Sequence, residues 1–347
     1  MSLLKRWFQR KNTSEKATTA AAVAKKQKLP ANSGTHVSIE ELIQLQQQAR
    51  KIDMTRRSYA KASSTGAHPS RFRGRGMDYQ ESRIYQAGDD IRNMDWRVTA
   101  RAGKPHTKLY QEERERPVVL LVDFNPSMFF GSKNSLKSVV AAKAAALIAW
   151  AVASKGDRIG ALIINHTHHE LPPKMGKRGA LQLIRELVLH SAPENALSES
   201  SYHESLNNEL QRLRKIARPG SLIFLISDFY SINDDTAHHL RSLSRHCDIQ
   251  AIQIVDPLEI SPPPPAHYHV TDGKKIASLN IHSQKGKEQY QSFFDQHHQR
   301  VNNMMQKQKV PLFQLSTSDD LLLKIQQNLG QSRQRSAVSK AIIGNVA

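Results

Sequence analysis

Two apolar segments of this 347-residue chain each end at an aspartate. The run Val118–Val122 is followed by Asp123, and the run Leu222–Ser227 is followed by Asp228. Short, nearly continuous apolar runs are typical of strands buried on both faces of a parallel sheet. Open sheets of this kind bind ligands beyond the carboxyl ends of their strands. We therefore expect Asp123 and Asp228 to meet at one edge of a sheet.

The residues after Asp123 extend this pattern, because Asn125 and Ser127 follow it at alternate positions. Carboxylate, amide and hydroxyl oxygens are the ligands that hard divalent cations such as Mg²⁺ prefer. The spacing D-x-N-x-S on a loop leaving a strand lets three side chains converge on one point, and Asp228 adds a second carboxylate. A site for Mg²⁺ or another divalent cation is one interpretation. The other is that both aspartates cap loops at the sheet edge through backbone amides.

Apolar strands and amphipathic helices alternate from Arg116 onward, which predicts an α/β fold with a doubly wound, mostly parallel sheet. The predicted strands are Val118–Phe124, Arg158–Asn165, Ser221–Ser227, Ile249–Val255 and Pro311–Leu315, with a shorter pair at Tyr268–Thr271 and Ile276–Leu279. The predicted helices are Leu136–Ser154, Ala180–His190, Ser201–Ala217, Thr236–His246, Lys287–Lys307 and Asp319–Leu329.

The N-terminal third has a different composition. Residues 1–36 are basic and poor in large apolar residues, which predicts a disordered tail and linker. Val37–Lys51 predicts a helix that Ser38 caps, and residues up to 116 mix aromatic and charged types without clean periodicity. The predicted organisation is therefore a tail at 1–36, an N-terminal segment at 37–116, an α/β domain at 117–329 and a flexible tail at 330–347.

The chain carries 50 Lys and Arg against 31 Asp and Glu, a net charge of +19. Such a charge predicts attraction to an acidic protein surface, to nucleic acid or to an anionic membrane. Its single cysteine, Cys247, excludes an intramolecular disulfide and fits a reducing cytoplasm. The longest apolar stretch, Val139–Ala153, is interrupted by Lys143 and is too short to predict a membrane span. One apolar face of the N-terminus allows peripheral contact with the inner face of a membrane. This face is formed by Leu3, Leu4, Trp7 and Phe8.

Several other clusters have a simpler explanation than a binding site. His166, His168 and His169 precede Pro172 and are expected in an exposed turn rather than in a zinc site. The pairs His238–His239 and His297–His298 lie on predicted helices, where adjacent side chains diverge, and are expected at the surface. Arginines before residue 117 are interleaved with acids, so internal ion pairs are favoured over phosphate contacts and nucleic acid is disfavoured as a partner. These arginines are Arg71, Arg73, Arg75, Arg83, Arg92, Arg97 and Arg101.

Two segments of the chain resemble known families. Val118–Met128 and Leu222–Phe229 are similar to the first and fourth strands of a von Willebrand factor A domain, whose metal-ion-dependent adhesion site uses D-x-S-x-S and a later aspartate. Arg83–Glu115 resembles the signature segment of the DUF58 family, which precedes such a domain. The matching signature residues are Gly88, Asp89, Arg92, Asp95, Trp96, Arg97, Thr99, Ala100 and Arg101, and the resemblance covers about residues 71–320.

The resemblance implies a site and a class of partner. Asp123, Ser127 and Asp228 match the adhesion site, Asn125 replaces a serine, and Glu204 or Ser205 stands where the family has threonine. DUF58 proteins are typically encoded beside MoxR-type AAA+ ATPases and other von Willebrand A proteins. The chain has no G-x-x-x-x-G-K-[ST] phosphate loop and no G-x-S-x-G elbow. We therefore expect a cytoplasmic, non-enzymatic adaptor that works with such an ATPase, with a nucleic-acid or anionic-membrane binding protein as the alternative and a metal-dependent hydrolase as the least favoured class.

Overall fold

The computed structural model describes residues 34–52, 77–112, 116–165, 168–197, 206–271 and 276–330. The chain divides into two compact units, a smaller one at Thr55–Arg116 and a larger one that joins Met1–Met54 to Pro117–Ala347. Predictions for most of the two tails, for Ser205 and for several named side chains lie outside the described residues. These side chains are Leu3, Leu4, Trp7, Phe8, Arg71, Arg73, Arg75, His166 and Glu204.

The described residues form strands and helices in the predicted alternation. The strands are β1 Met77–Ile84, β2 His106–Glu112, β3 Val118–Asp123, β4 Arg158–Ile164, β5 His168–Met175, β6 Leu222–Ser227, β7 Asp248–Val255, β8 His267–Thr271, β9 Ile276–Asn280 and β10 Leu312–Ser316. The helices are α1 Ile39–Ala49, α2 Trp96–Ala102, α3 Lys137–Ser154, α4 Gly176–His190, α5 Leu206–Ile216, α6 Asp234–Ser244, α7 Pro257–Ile260, α8 Gln284–Lys307 and α9 Leu321–Gly330.

The larger unit is built on a six-stranded sheet with the order β10-β7-β6-β3-β4-β5. All neighbouring strands are parallel except β4 and β5. The chain proceeds outward from β3 to β5, returns to pair β6 with β3, and then proceeds outward in the other direction. The strand order therefore reverses between β3 and β6, which is where doubly wound sheets bind ligands. The predicted fold class is confirmed.

Helices cover both faces of this sheet because successive side chains of a buried strand point to opposite sides. Leu120 and Val122 of β3 belong to a core that includes residues of α1, α3, α4 and α9. Val119 and Leu121 belong to a second core, which residues of α5, α6 and α8 complete. Both faces are thus buried, which explains why the strands read as continuous apolar runs.

Helix α3 is apolar on all sides because it lies in the first core. Within the described residues it alone is long and apolar enough to cross a membrane, with 18 residues and a mean hydropathy of 1.4, so the prediction that this stretch is too short needs correction. However, 83% of the helix is buried inside the unit. Its apolar surface packs against the sheet and neighbouring helices, as a central core helix requires.

Strand β5 corrects the prediction of an exposed turn around the histidines. His168 and His169 begin this antiparallel edge strand, in which they pair with Ile164 and Ile163. Pro172 did not exclude a strand, because an edge strand can leave one row of backbone amides unpaired. The register of the β4–β5 pair also shifts between Ile159 and Ala161, opposite the two prolines.

Helix α1 packs on the larger unit rather than grouping with residues 55–116. Its predicted cap forms, with the Ser38 side chain accepting a hydrogen bond from the Glu41 amide. The Trp150 indole donates to the Leu42 carbonyl at 2.9 Å, and Lys143 pairs with Glu41 at 2.6 Å. The predicted segment 37–116 therefore groups α1 with residues 55–116, whereas the helix belongs to the larger unit.

The smaller unit contains the residues of the DUF58 signature. Strands β1 and β2 pair antiparallel, and α2 lies between them in the chain. Asp95 caps α2 through the Val98 amide and accepts a second hydrogen bond from Ser82, at 2.7 Å. Thr99 accepts a hydrogen bond from the His106 amide, and Gly88 has a φ of 108° that favours glycine. Several signature residues therefore maintain the local fold.

Other members of the signature are exposed. Asp89 forms the predicted kind of internal ion pair, with Arg83 at 2.7 Å. The side chains of Arg92, Trp96, Arg97 and Arg101 face solvent, and Trp96 is 67% exposed. The signature thus combines residues that fold the unit with residues on its surface.

Candidate functional site

Asp123 lies at the switch point of the sheet, as the last residue of β3. It is 2% exposed, and its two carboxylate oxygens have different partners. Oδ1 accepts a hydrogen bond from the Asn125 amide at 2.9 Å, and Oδ2 accepts one from the Ser227 hydroxyl at 2.6 Å. Because Ser227 ends the neighbouring strand β6, this second bond joins the two strand ends that the sequence predicted to meet.

Asp228 faces a buried cation from the chain itself. Its Oδ2 lies 3.0 Å from the ammonium nitrogen of Lys137, which also lies 2.7 Å from Glu259 Oε1. Lys137 is the first residue of α3 and is only 1% exposed. A buried ammonium is stable only where acceptors replace its water, and these two carboxylates do so. We refer to Asp123, Lys137, Ser227, Asp228 and Glu259 as the crevice network.

The loop after β6 is shaped by backbone strain. Phe229 is fully buried and has a φ of 60°, in the left-handed region that non-glycine residues rarely adopt. Its amide donates to the Ser227 hydroxyl oxygen at 2.9 Å. Strain of this kind is retained where the surrounding structure enforces it, often at functional sites. The turn places the Asp228 side chain beside Lys137.

A tyrosine and a histidine form one wall of the site. The Tyr230 ring stacks on His297 of α8 with centroids 4.0 Å apart and lies 5.2 Å from the Lys137 nitrogen. His297 Nε2 donates to the Asp228 carbonyl at 2.9 Å. His297 and His298 are half-buried, so the expectation that both lie at the surface is corrected. The physical reason for His297 is that its ring stacks on Tyr230 and donates to the Asp228 carbonyl, so it packs against the site rather than facing solvent.

Glu259 is held by the loop that follows β7. Its Oε2 accepts a hydrogen bond from the Asp256 amide, which completes a capping box at the start of α7. Asp256 is fully buried and accepts hydrogen bonds from the Ser132 amide and the Thr317 hydroxyl, both at 2.9 Å. Loops after β3, β7 and β10 therefore converge on the same edge of the sheet.

The electrostatics of the crevice network reflect three carboxylates and one ammonium. Burial raises the pKa of Asp123 from 3.8 to about 6, and the neighbouring Asp228 contributes to the rise, whereas hydrogen bonds from Ser227 and Asn125 oppose it. Burial alone would lower the pKa of Lys137, but Asp228 and Glu259 outweigh it and the pKa is raised. Burial, with Glu259 and Asp228, also raises the pKa of Tyr230, and burial lowers that of His297.

The structure brings most of the predicted site residues together. Asp123 and Asp228 influence each other electrostatically, and the Asn125 amide binds Asp123. The Asn125 side chain is 8% exposed, and within the described part of the chain its Oδ1 has no hydrogen-bond partner. Ser127 lies half-buried in the short 3-10 turn Pro126–Met128. Glu204 lies outside the described residues, so its assignment stays a prediction.

Sequence reasoning missed the roles of three residues in this site. Lys137 and Glu259 received no role from the sequence, and His297 was assigned to the surface. A local signal existed for Glu259, because D-P-L-E at residues 256–259 is a capping-box pattern. Lys137 is separated from its two partners by 91 and 122 residues, which no local pattern reveals.

The comparisons with known proteins give a family match and distant relatives. A model described as "Protein of unknown function DUF58" matches residues 81–300. An uncharacterized protein of Mycobacterium tuberculosis, Rv1480, is 31% identical over 217 residues. The matched region is 62% of this chain and 66% of that protein, so the chain spans slightly less than two thirds of this relative.

Solved structures resemble the chain with low sequence identity and low TM-scores. The protein BatB from Bacteroides thetaiotaomicron is 11% identical, with a TM-score of 0.39 over 62% of this chain and 98% of that one. A von Willebrand factor type A protein from Catenulispora acidiphila is 10% identical, with a TM-score of 0.34 over 65% of this chain and 44% of that one. The doubly wound architecture is evident from the sheet order itself.

Proposed function

This chain belongs to the DUF58 family, whose model matches more than half of its length, and we propose that it is a non-enzymatic protein-interaction module of the von Willebrand A type. Its docking site is the crevice network at the switch point of the sheet. The observation that carries the proposal is the meeting of Asp123 and Asp228 at the ends of adjacent strands. The proposed partner is a MoxR-type AAA+ ATPase or the client of that ATPase.

A divalent cation such as Mg²⁺ fits part of this site. Two buried carboxylates that repel each other favour a cation, and the Asn125 Oδ1 is a buried oxygen without a partner among the described residues. Both features suit a hard cation with oxygen ligands. Asp123, Asn125 and Ser127 are the residues that would hold it, and the cation would offer a coordination position to a carboxylate of the partner.

Lys137 limits how closely the site follows an adhesion-type arrangement. Its ammonium already pairs with Asp228 Oδ2 and Glu259. The three carboxylates of the crevice network outnumber its one ammonium, so Lys137 and a further cation can coexist. We therefore place the proposed cation on the Asp123 side of the ion pair, and Asp228 keeps its position through Lys137.

The same groups support the proposed non-enzymatic role. General acid–base catalysis works best with a pKa near the working pH, and Tyr230 and His297 are shifted away from neutrality. Asp123, with a pKa near 6, is held by hydrogen bonds from Ser227 and Asn125. In this arrangement the side chains stabilise one another, which suits a rigid docking surface. The net charge of +19 would steer an acidic partner toward the chain.

The test is a binding titration of the full chain with the MoxR-type ATPase, in Mg²⁺ and in chelator. We expect Asp123→Asn to weaken binding in Mg²⁺ by at least about tenfold, because one coordinating carboxylate is lost. The matched control is Glu40→Gln, which removes an exposed carboxylate from α1. Equal binding of wild type and Asp123→Asn in both buffers would refute the bridging cation, and absence of ATPase binding by the wild type would refute the partner.

A direct titration separates the cation from the partner. Calorimetry with Mg²⁺ and Mn²⁺ is expected to show binding by the wild type and by Glu40→Gln, and none by Asp123→Asn. Turnover of phosphoesters by the metal-loaded protein, lost in Asp123→Asn, would instead favour a hydrolase and overturn the adaptor assignment.

The alternative function rests on the charge of the chain, which also favours an anionic membrane or nucleic acid. Each charge contact with nucleic acid makes binding strongly salt-dependent, and basic residues near an anionic membrane behave similarly. Binding to vesicles that falls steeply with salt and is lost on joint replacement of Trp7→Ala and Phe8→Ala would support a peripheral protein at the inner face of the membrane. Salt-dependent binding to duplex or single-stranded nucleic acid, without binding to vesicles, would support the nucleic-acid alternative.

A further inference from the structure

A second cluster of ligand-type side chains lies on the face of the sheet that α4 covers. His169 of β5 and Glu186 and His190 of α4 each offer one ligand atom, and these atoms lie within 4.8 Å of one another. Glu186 and His190 are four residues apart and therefore occupy one side of the helix. His169 reaches the same point from the neighbouring edge strand, so three ligands come from two rigid elements.

The two distances from Glu186 are close to those between ligands of a tetrahedral ion. Zinc bonds to imidazole nitrogen and carboxylate oxygen are about 2.0–2.1 Å long, which places neighbouring ligands of a tetrahedron about 3.4 Å apart. Glu186 Oε2 lies 3.3 Å from His169 Nε2 and 3.8 Å from His190 Nε2. The two imidazole nitrogens lie within 4.8 Å of each other, so rotations of the side chains would be needed to centre all three ligands on one ion.

We propose that His169, Glu186 and His190 form a binding site for Zn²⁺, with two imidazoles and one carboxylate as protein ligands. Two nitrogens and an oxygen suit zinc and other late first-row ions better than Mg²⁺ or Ca²⁺. His190 is the last residue of α4, where the helix dipole favours a cation. Glu186 and His190 are 17% and 15% exposed and His169 is 43% exposed, so the fourth coordination position faces solvent.

The proposed zinc site is separate from the crevice network but lies at the same end of the sheet. Asp123 pairs with Ile164, and Ile164 pairs with His168, the neighbour of His169. Two strand spacings correspond to about 10 Å across the sheet. The two sites share no residue, so their tests are independent. A zinc ion with an open position at this edge would hold a water molecule or a ligand atom from a bound partner.

The experiment is a Zn²⁺ titration of the full chain in competition with a chromophoric chelator. We expect one tight site in the wild type, and a loss of at least about 100-fold in affinity for His169→Ala, Glu186→Gln and His190→Ala, because ligand loss should exceed the usual outer-shell effect. His282→Ala is the matched control, since it also contacts a second histidine, His267, at a ring distance of 5.0 Å. It should bind as the wild type does.

A second measurement distinguishes ligand loss from misfolding. Zn²⁺ should raise the thermal midpoint of the wild type, His282→Ala and Asp123→Asn, because it binds only the folded site. It should not raise the midpoint of the three cluster variants, which should melt near the wild type without metal. The proposal is overturned if the cluster variants bind Zn²⁺ as tightly as the wild type, or if Asp123→Asn abolishes zinc binding.

Discussion

Replacing Asp123 with asparagine should stabilise the fold while removing the proposed function. Asparagine has nearly the shape of aspartate and carries no charge. Its oxygen can accept the Asn125 amide, and its amino group can donate to the Ser227 hydroxyl oxygen in place of the present bond. The change therefore removes a buried negative charge beside Asp228 and keeps the acceptor for the Asn125 amide, although the Ser227 hydroxyl proton loses its present acceptor.

The magnitude follows from the raised pKa of Asp123, about 6 in the fold against an ordinary value of 3.8. A carboxyl group with a raised folded pKa binds its proton more tightly in the native state, so ionisation destabilises the fold. At about 1.4 kcal/mol per pKa unit, ionised Asp123 costs about 3 kcal/mol at pH 7 and about half as much at pH 5. The cost fades as pH falls below 3.8, where the carboxyl group becomes protonated in both states.

The assay is urea unfolding between pH 5 and pH 8, followed by the fluorescence of Trp150. Trp7→Phe and Trp96→Phe remove the other two tryptophans, so the signal reports the core of the larger unit. We expect the free energy of unfolding of Asp123→Asn to exceed that of the parent by up to about 3 kcal/mol at pH 7, with the difference shrinking as pH falls. Saturating Mg²⁺ should reduce the difference in the free energy of unfolding between Asp123→Asn and the parent, because the ion would stabilise only the parent.

A destabilised Asp123→Asn, or a stability difference that does not change between pH 5 and pH 8, would refute this reasoning. The first result would mean that interactions other than the hydrogen bonds from Ser227 and Asn125 stabilise the ionised Asp123 in the fold. The second would mean that Asp123 does not titrate in this range, so the burial and the repulsion by Asp228 do not act as described.

Two further predictions concern carboxylates with partners. Lys137→Met should lower the free energy of unfolding by about 3–5 kcal/mol, because Asp228 and Glu259 lose their shared cation inside the fold. Since the pKa of Lys137 is raised, this loss should be constant near neutrality in urea unfolding and should shrink only as pH rises above 10.5. A stability equal to that of the parent at pH 7 would contradict it. Asp95→Asn should destabilise the smaller unit at pH 7, because hydrogen bonds from Ser82 and the Val98 amide lower the pKa of Asp95. Hydrogen exchange of residues 81–102 should rise in the variant, and the difference should fade as pH drops below 3.8, whereas a stabilised variant would contradict the lowered pKa.

Much of the fold follows from local patterns in the sequence. The strands β3 and β6 read as apolar runs because both of their faces are buried, and each run ends at an aspartate. The Ser38 cap of α1 also forms as expected. Strand β5 was missed because its prolines and histidines look like a turn, and only its place at the edge of the sheet makes such a strand acceptable.

The sequence by itself predicted a doubly wound α/β domain and the meeting of Asp123 and Asp228 at one edge of its sheet. Periodicity and strand composition are local properties, and parallel strands align their carboxyl ends. Only the tertiary structure decided that Lys137 enters the site and that His169 meets Glu186 and His190. These contacts join elements that are distant in the chain or lie on different surfaces, so they depend on how helices pack on the sheet. The charge around Asp123 is therefore a property of the folded chain, because burial and neighbours set it.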